Sequence, residues 1–437
     1  MGSRRWIILG IAVVAQVASV GAMFGVPFVL PALREAYGLS IAQAGTLAGL
    51  PAFGLLVTLF GWGVVIDRYG ERFTMTASLL LTALCLGLLG VVDGVFGVGA
   101  VLVGVGASGG PVNAAGGRLV MAWFDARRRG LAMGIRQMAQ PVGMGASAAL
   151  MPLVAEHWGF VAAMLLPAGL ALVMVPPVVV FARPPERGAA AAAEVGPAAP
   201  PADGPTAATS DESANRDGRS EGPGRSAAAS GAHSPTAFRS RSPYRHAAIW
   251  RLHAVSMLLG VPQFSMTTYA LVYLVSVHGW AAPAAGALVG ATMVPGALAR
   301  PVLGVVSDRL GSRLRPVRVL AAASGTALVL LALSAGVLPA ASVPLLLTCL
   351  VLAVAHNGLM FTAVAETAGL AWAGRAMAAQ NSLQAVSNTL TPMLMGVVIH
   401  LWSIDAVYAC AAAFCAAAAA VASLSLRPAQ QAGAPAP

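Results

Sequence analysis

Gly63-Val64-Val65-Ile66-Asp67-Arg68-Tyr69-Gly70-Glu71-Arg72 returns 241 positions later as Gly304-Val305-Val306-Ser307-Asp308-Arg309-Leu310-Gly311-Ser312-Arg313. Both copies obey G-x-x-x-D-R-x-G-x-R, and each ends a long apolar stretch. A charged loop repeated at about half the chain length, in an otherwise apolar sequence, points to a membrane protein made of two similar halves. Gly63 and Gly304 let helices approach closely, and Gly70 and Gly311 allow a tight turn. Asp67 and Asp308 can accept hydrogen bonds from helix N-termini or pair with arginine.

Composition agrees. Of the 437 residues 58% are hydrophobic and 10% charged, where a soluble domain carries about 25% charged residues. The net charge of +10 comes from arginine alone, because the chain contains no lysine. That basicity would suit a nucleic-acid partner, but the placement of the arginines argues instead for a membrane face. The four cysteines lie in apolar segments with no Cys-x-x-Cys spacing, so neither a disulfide framework nor a zinc site is expected. No metal or cofactor motif appears. Without lysine there is no Walker-type phosphate loop, which excludes a pump of that kind.

Stretches long and apolar enough to cross a bilayer fall near 6–30, 42–66, 73–92, 96–121, 131–154 and 160–182, and again near 248–277, 283–307, 317–338, 342–365, 375–400 and 404–426. The expected fold is all-α, with 12 transmembrane helices in two pseudo-symmetric six-helix bundles, 1–182 and 247–426. Residues 183–246 are rich in Ala, Pro, Gly and Ser without apolar periodicity, and read as a disordered cytoplasmic linker. The tail 427–437 reads likewise.

Arginine placement sets the topology. With the N-terminus inside, Arg4, Arg5, Arg68, Arg72, Arg127, Arg128, Arg129, Arg309, Arg313, Arg315, Arg318, Arg375 and Arg427 all fall on the cytoplasmic side, and only Arg34 falls outside. Both termini are therefore expected in the cytoplasm, with the chain in an inner or plasma membrane. The repeat extends beyond the loop. At a spacing of 244, Asn113 matches Asn357, Gly130-x-Ala132-Met133 matches Gly374-x-Ala376-Met377, Gln140 matches Gln384 and Val142 matches Val386.

The duplicated decapeptide resembles the cytoplasmic loop signature of the major facilitator superfamily of secondary transporters. The resemblance implies alternating access by rocking of one half against the other, usually as a monomer. It also implies a loop latch between the bundles made by Gly63, Asp67, Arg68, Gly70 and Arg72 with Gly304, Asp308, Arg309, Gly311 and Arg313. Trp123-Phe124 with Arg127–Arg129 and Gly130-Leu131-Ala132-Met133-Gly134 is similar to the start of helix 5 in monocarboxylate and oxalate–formate type facilitators. Arg300 resembles the helix 8 arginine that contacts the substrate carboxylate in organic-anion facilitators. The chain departs from those carriers at Gly296, where animal-type relatives have Asp, in lacking the acidic signature of helix 1, and in having no lysine on helix 11.

Function is expected where charge and polarity enter the membrane. Arg300 and Arg136 are candidates to clamp a small carboxylate, with Asn113, His356, Asn357, Gln140 and Gln384 as polar lining. Gln137, Gln380, Asn381, Gln263, Tyr269 and Tyr273 lie at similar depths. His356 and Glu366 are the titratable candidates for proton coupling. The favoured reading is a carrier of a small organic anion, with the lipid bilayer as its other partner. Its rival is a drug or metabolite exporter, for which Gln140-Pro141-Val142-Gly143-Met144-Gly145 only partly resembles the antiporter motif. The third reading is a membrane sensor that binds ligand without moving it.

Overall fold

In hydrocarbon each backbone N–H and C=O must be satisfied internally, so apolar segments of this length fold as helices. The computed structural model describes residues 2–124, 126–183, 242–337, 339–369 and 372–424, and among these there is no strand. The expected linker and tail lie almost wholly outside the described residues. Helix α1 spans Gly2–Phe24, followed by a 3-10 turn at Val26–Val29; then come α2 Leu30–Tyr37, α3 Ile41–Leu88, α4 Gly94–Gly109, α5 Pro111–Trp123, α6 Ala126–Gln137 and α7 Ala139–Phe181. The second half runs from a 3-10 turn at Pro243–Arg245 through α8 Ala247–Ser276, α9 Ala282–Arg309, α10 Leu314–Val337, α11 Pro339–Ala355, α12 Asn357–Ala368 and α13 Ala373–Leu401 to α14 Ile404–Ser423.

Ten continuous segments are long and apolar enough to cross a membrane. Two of the spacings expected from sequence are nearly absent. The spans near 42–66 and 73–92 follow one another without an intervening loop in the 48 residues of α3, which would reach about 72 Å at about 1.5 Å per residue were they straight. That is more than twice the roughly 30 Å of hydrocarbon. Gly70, at φ 78° and ψ 174°, breaks it, a conformation that a residue with a Cβ rarely adopts. Gly159, at φ 81°, breaks α7 in the same way. Each of these helices has the length of two crossings.

Other interruptions lie within single spans. The stretch read as one helix at 96–121 divides at Gly110, just before Pro111. Proline has no N–H to return to the carbonyl four residues back, so carbonyls near the break need other donors. Thr58 Oγ1 (3.1 Å) and Trp62 Nε1 (2.7 Å) from α3 donate to the Ala107 carbonyl. Ser78 donates to that of Ser108, and Ser19 of α1 donates to that of Gly109 at 2.7 Å. The span at 342–365 divides at His356, and that at 131–154 has a break at Met138.

The two halves meet at the end remote from the loop motifs. There α3 packs on α13, and α7 on α9. The backbones come so close that a Cβ on Gly286 would overlap the Ala148 carbonyl, and one on Gly49 would overlap that of Thr389. Gly145 and Gly290 face each other in the same seam. At the motif end the reverse holds: a Cβ built on Gly63 or Gly304 meets nothing within 4 Å. The close approach those two glycines permit is not made in this structure.

Gly106 packs against Pro51 so tightly that a Cβ would overlap the Pro51 carbonyl and lie 2.7 Å from its Cα. Gly106→Ala is therefore expected to destabilise the protein by about 1–3 kcal/mol. Gly304→Leu is expected to stay within about 0.5 kcal/mol of wild type. Melting of the detergent-purified proteins checks both, and equal melting temperatures for the two variants would contradict this packing.

Candidate functional site

Arg136 lies in the last turn of α6, just before the break at Met138, where α7 restarts. It is only 5% exposed. Its Nη1 donates to Gln16 Oε1 of α1 at 2.5 Å, and Nη1 and Nη2 both donate to Asn113 Oδ1 of α5 at 3.0 Å. Its Nε is buried with no partner. Gly117 makes room for it: a Cβ there would come within 3.0 Å of Nη2. Asn113, although well inside an apolar helix, is exposed, so the amide that holds Arg136 also faces open space.

Arg300 lies on α9 ahead of Pro301. Its Nε donates to the Val354 carbonyl at 3.2 Å, two residues before the break at His356. Its Nη1 reaches the carbonyl of Gln137 at 3.5 Å, beside the break at Met138. This contact crosses between the halves, and it places Arg300 against the residue that follows Arg136. Among the described residues no Asp or Glu pairs with either arginine. The ion pairs found lie at the motif end, between the motif loops and the ends of α5 and α12.

The second half carries a chain of neutral groups. Asn357 Nδ2 donates to Gln263 Oε1 at 3.1 Å, and its Oδ1 accepts from Gln384 Nε2 at 2.8 Å. Gln384 also donates to Ser256 Oγ at 3.3 Å, as does Gln380, whose Oε1 meets His253 Nδ1 at 2.6 Å. At the 244 spacing Arg136 corresponds to Gln380. Thus the first half holds a guanidinium where the second holds an amide.

The remaining candidates are scattered. Gln140 is half-buried in α7, and Gln137 and Asn381 are exposed. His356 is 2% exposed, with Nδ1 2.9 Å from the Ala353 carbonyl. It lines a cavity of about 10 Å³ inside the second half, shared with Leu259, Ser324, Cys349 and Cys415. Its Nε2 has no partner. Tyr269 donates to the Pro392 carbonyl in the closed seam, and Tyr273 packs edge-on against Tyr408.

Glu366 lies in the motif region, where Arg313 holds it through Nη2 at 2.7 Å and Nε at 3.0 Å and donates to Asp308 at 2.5 Å. The Glu366 carboxylate, and Asp308 after it, hold Arg313 charged beyond the ordinary guanidinium range. In the first half the signs are exchanged: Arg118 of α5 pairs with Asp67 at 2.5 Å and Glu71 at 3.0 Å. Gly70 and Gly311 both have positive φ.

Sequence reasoning did not single out Gln16, His253 or Ser256. A lone amide such as Gln16 within some 20 apolar residues is itself a signal of an internal partner.

Apolar helices broken at matched places in two repeats, with polar clusters at the breaks, define a multi-pass membrane transporter. The Major Facilitator Superfamily model matches residues 12–392. An uncharacterized MFS-type transporter of Mycobacterium tuberculosis H37Rv, Rv2994, is 36% identical over 396 residues, covering 90% of this chain and 79% of its own. Among solved structures, a bacterial homolog to the human lysosomal transporter Spinster, inward-facing and unoccupied, superposes with TM-score 0.68 at 13% identity, covering 96% of both chains. The nucleoside transporter NupG does so with TM-score 0.67 at 10% identity, covering 95% of this chain and 98% of its own. The chain belongs to the major facilitator superfamily: it is an integral membrane transporter and not an enzyme.

Asn113→Leu removes the one oxygen contact of Nη2 and one of the two of Nη1 from a buried cation. Hydrogen bonds to charged groups contribute about 1.5–3 kcal/mol each, so a loss of at least that size is expected in unfolding experiments. A melting temperature equal to wild type would show that Arg136 is satisfied some other way.

Proposed function

We propose that the protein is a secondary carrier of a small organic anion of the monocarboxylate type, coupled to protons or working by exchange. Its twelve crossings form two six-helix halves, 1–182 and 247–426, that rock about a central site as a single chain. Arginine bias supports cytoplasmic termini and a cytoplasmic motif end in the inner or plasma membrane.

One observation carries the substrate class. Two guanidinium groups, Arg136 and Arg300, lie within membrane helices on neutral oxygens alone. A charge at this depth costs about 2.5–3.5 kcal/mol on insertion scales unless it is partnered, and the described residues offer it no carboxylate. The bonds of Arg300, at 3.2 and 3.5 Å, are longer than the 2.7–2.9 Å of charge-assisted pairs. An incoming carboxylate would find donors that are only weakly engaged. Asn113, Asn357, Gln140, Gln384 and His356 are the polar groups we assign to the surrounding wall. A cation exporter would need the opposite sign there.

We read the two loop motifs as a latch for the opposite state. Here each motif carboxylate pairs within its own half, while Gly63 and Gly304 stand open. Closing that end would bring Gly63, Asp67, Arg68, Gly70 and Arg72 toward the other half, and likewise Gly304, Asp308, Arg309, Gly311 and Arg313. Gly304→Leu, neutral for stability, is then expected to abolish uptake into proteoliposomes.

The substrate class is tested by thermal stabilisation with acetate, pyruvate and benzoate beside tetraphenylphosphonium, on wild type and Arg300→Ala. A ligand at about 100 times its Kd stabilises by roughly 2.7 kcal/mol. Stabilisation by a carboxylate that vanishes in Arg300→Ala is the expected result. Stabilisation by the cation alone, indifferent to Arg300, would move the protein to the exporter class.

A further inference from the structure

His253 is 2% exposed, about 9 Å along α8 from its start at the motif end. Its Nδ1 lies 2.6 Å from Gln380 Oε1. An amide oxygen only accepts, so Nδ1 carries the hydrogen and Nε2 keeps its basic lone pair. That nitrogen faces the Tyr244 hydroxyl at 3.5 Å, in the turn Pro243–Arg245 where the chain enters the second half. The Tyr244 ring stacks on the imidazole at 5.9 Å and 14°, and Trp250 meets it edge-on at 6.2 Å.

We propose that His253 is the proton-binding site of this carrier: Nε2 takes a proton from the motif end, and Gln380, Ser256, Gln384 and Asn357 connect it to the anion site. The proposal rests on the anion-carrier reading for its coupling, though not for the proton site itself. Protonation at Nε2 leaves the Nδ1–H bond to Gln380 in place and makes it charge-assisted. Gln380 passes its amide hydrogen to Ser256, which also accepts from Gln384, the donor to Asn357. A proton bound with a monocarboxylate gives a neutral load, which suits a cavity whose own charges are positive.

Among the charged and titratable groups on the elements around α8, Asp308 at the end of α9 pairs with Arg313, Arg309 follows it at the motif loop, and His246 before α8 and His400 of α13 are exposed. Arg375 of α13 stacks on Trp372, Glu366 of α12 pairs with Arg313, and Arg300 of α9 rests on Val354 and Gln137. Arg245 of the turn is exposed, and Arg251 of α8 lines a separate groove with Val421 and Leu424. Asp405 of α14 sits at the opposite end, near Tyr408. The other buried imidazole, His356, offers Nε2 no acceptor among the described residues.

The test uses the detergent-purified full chain. Affinity for acetate, pyruvate or benzoate, read from thermal stabilisation between pH 5 and 8, is expected to fall in wild type by up to about tenfold per pH unit. That is the limit for one linked proton. His253→Gln is expected to flatten this dependence. Gln380→Leu, which keeps the imidazole but cuts the chain, should flatten it too, while His400→Gln, at an exposed imidazole in the last turn of α13, should retain it. A full pH dependence in either of the first two variants overturns the proposal. Potentiometric titration of the ligand-free protein gives a readout independent of substrate: His253→Gln should take up one proton fewer than wild type. If no carboxylate stabilises wild type at any pH, the anion reading fails, and this proton count alone decides; equal uptake overturns the proton site.

Discussion

A carbonyl released inside hydrocarbon must find a donor, and this protein releases several by interrupting its helices near the bilayer centre. At the Gly110–Pro111 break the donors are Thr58, Trp62, Ser78 and Ser19, drawn from the neighbouring crossings. At the breaks beside Met138 and His356 the donor to the nearby carbonyls of Gln137 and Val354 is Arg300. The first set of bonds is internal to one half and holds its helices in register. The second joins a charged side chain to both halves at once. The interruptions thus supply the rigidity of each half and also the polar floor between them.

The two halves fill equivalent places with different chemistry. Asn113 and Asn357 correspond at the 244 spacing and each lies within three residues of a break, yet Asn113 holds a guanidinium while Asn357 sits in a chain of amides. Arg136 and Gln380 are likewise equivalent, the first resting on Gln16 of α1, the second on Ser256 and His253 of α8. At these equivalent positions the first half therefore places a fixed charge, and the second a neutral network ending in an imidazole, while the second half's own guanidinium, Arg300, stands on α9. The loops show a similar exchange: arginine on α5 against acids in the loop, then a glutamate on α12 against an arginine in the loop.

Much of this was legible in the sequence because it depends on composition and local pattern. The apolar stretches, the repeated loop and the two intramembrane arginines follow from residue type and spacing alone. The direct joining of two pairs of spans was less visible, since the polar residues around Gly70 and Gly159 read as loops, whereas the chain turns at one glycine with helical residues on either side. The network through His253, Ser256 and Gln380 was hidden for a different reason. Hydrogen bonds between residues 124 to 127 positions apart depend on how α8 packs against α13, and nothing local in an alanine-rich sequence marks the partners. The same holds for Arg118, whose role is fixed by Asp67 and Glu71 across the bundle. The turn at Pro243–Arg245 was read as the end of a linker because Pro, Tyr and Arg carry no periodicity. Its order comes from Tyr244 stacking on His253 and from Trp250 donating to the Tyr244 carbonyl at 3.0 Å.

The glycine seam between the halves constrains how such a carrier moves. At Gly45, Gly49, Gly145, Gly286 and Gly290 the backbones of facing helices touch with almost no side chain between them. Contact of this kind gains dispersion energy over a narrow range of distance and loses it steeply as a gap opens, so the seam is closed or open with little between. Few hydrogen bonds need to break for it to part; Tyr269, which donates to Pro392, has both partners in the second half. Opening therefore exposes few unsatisfied polar groups, and the energy lost on one side can be regained by an equally close approach at the other. Gly63 and Gly304 supply the small residues that such an approach requires at the motif end. On the anion-carrier reading proposed above, a ligand that bridges Arg300 to the first half would act between these two ends, where a small differential affinity is enough to shift the balance.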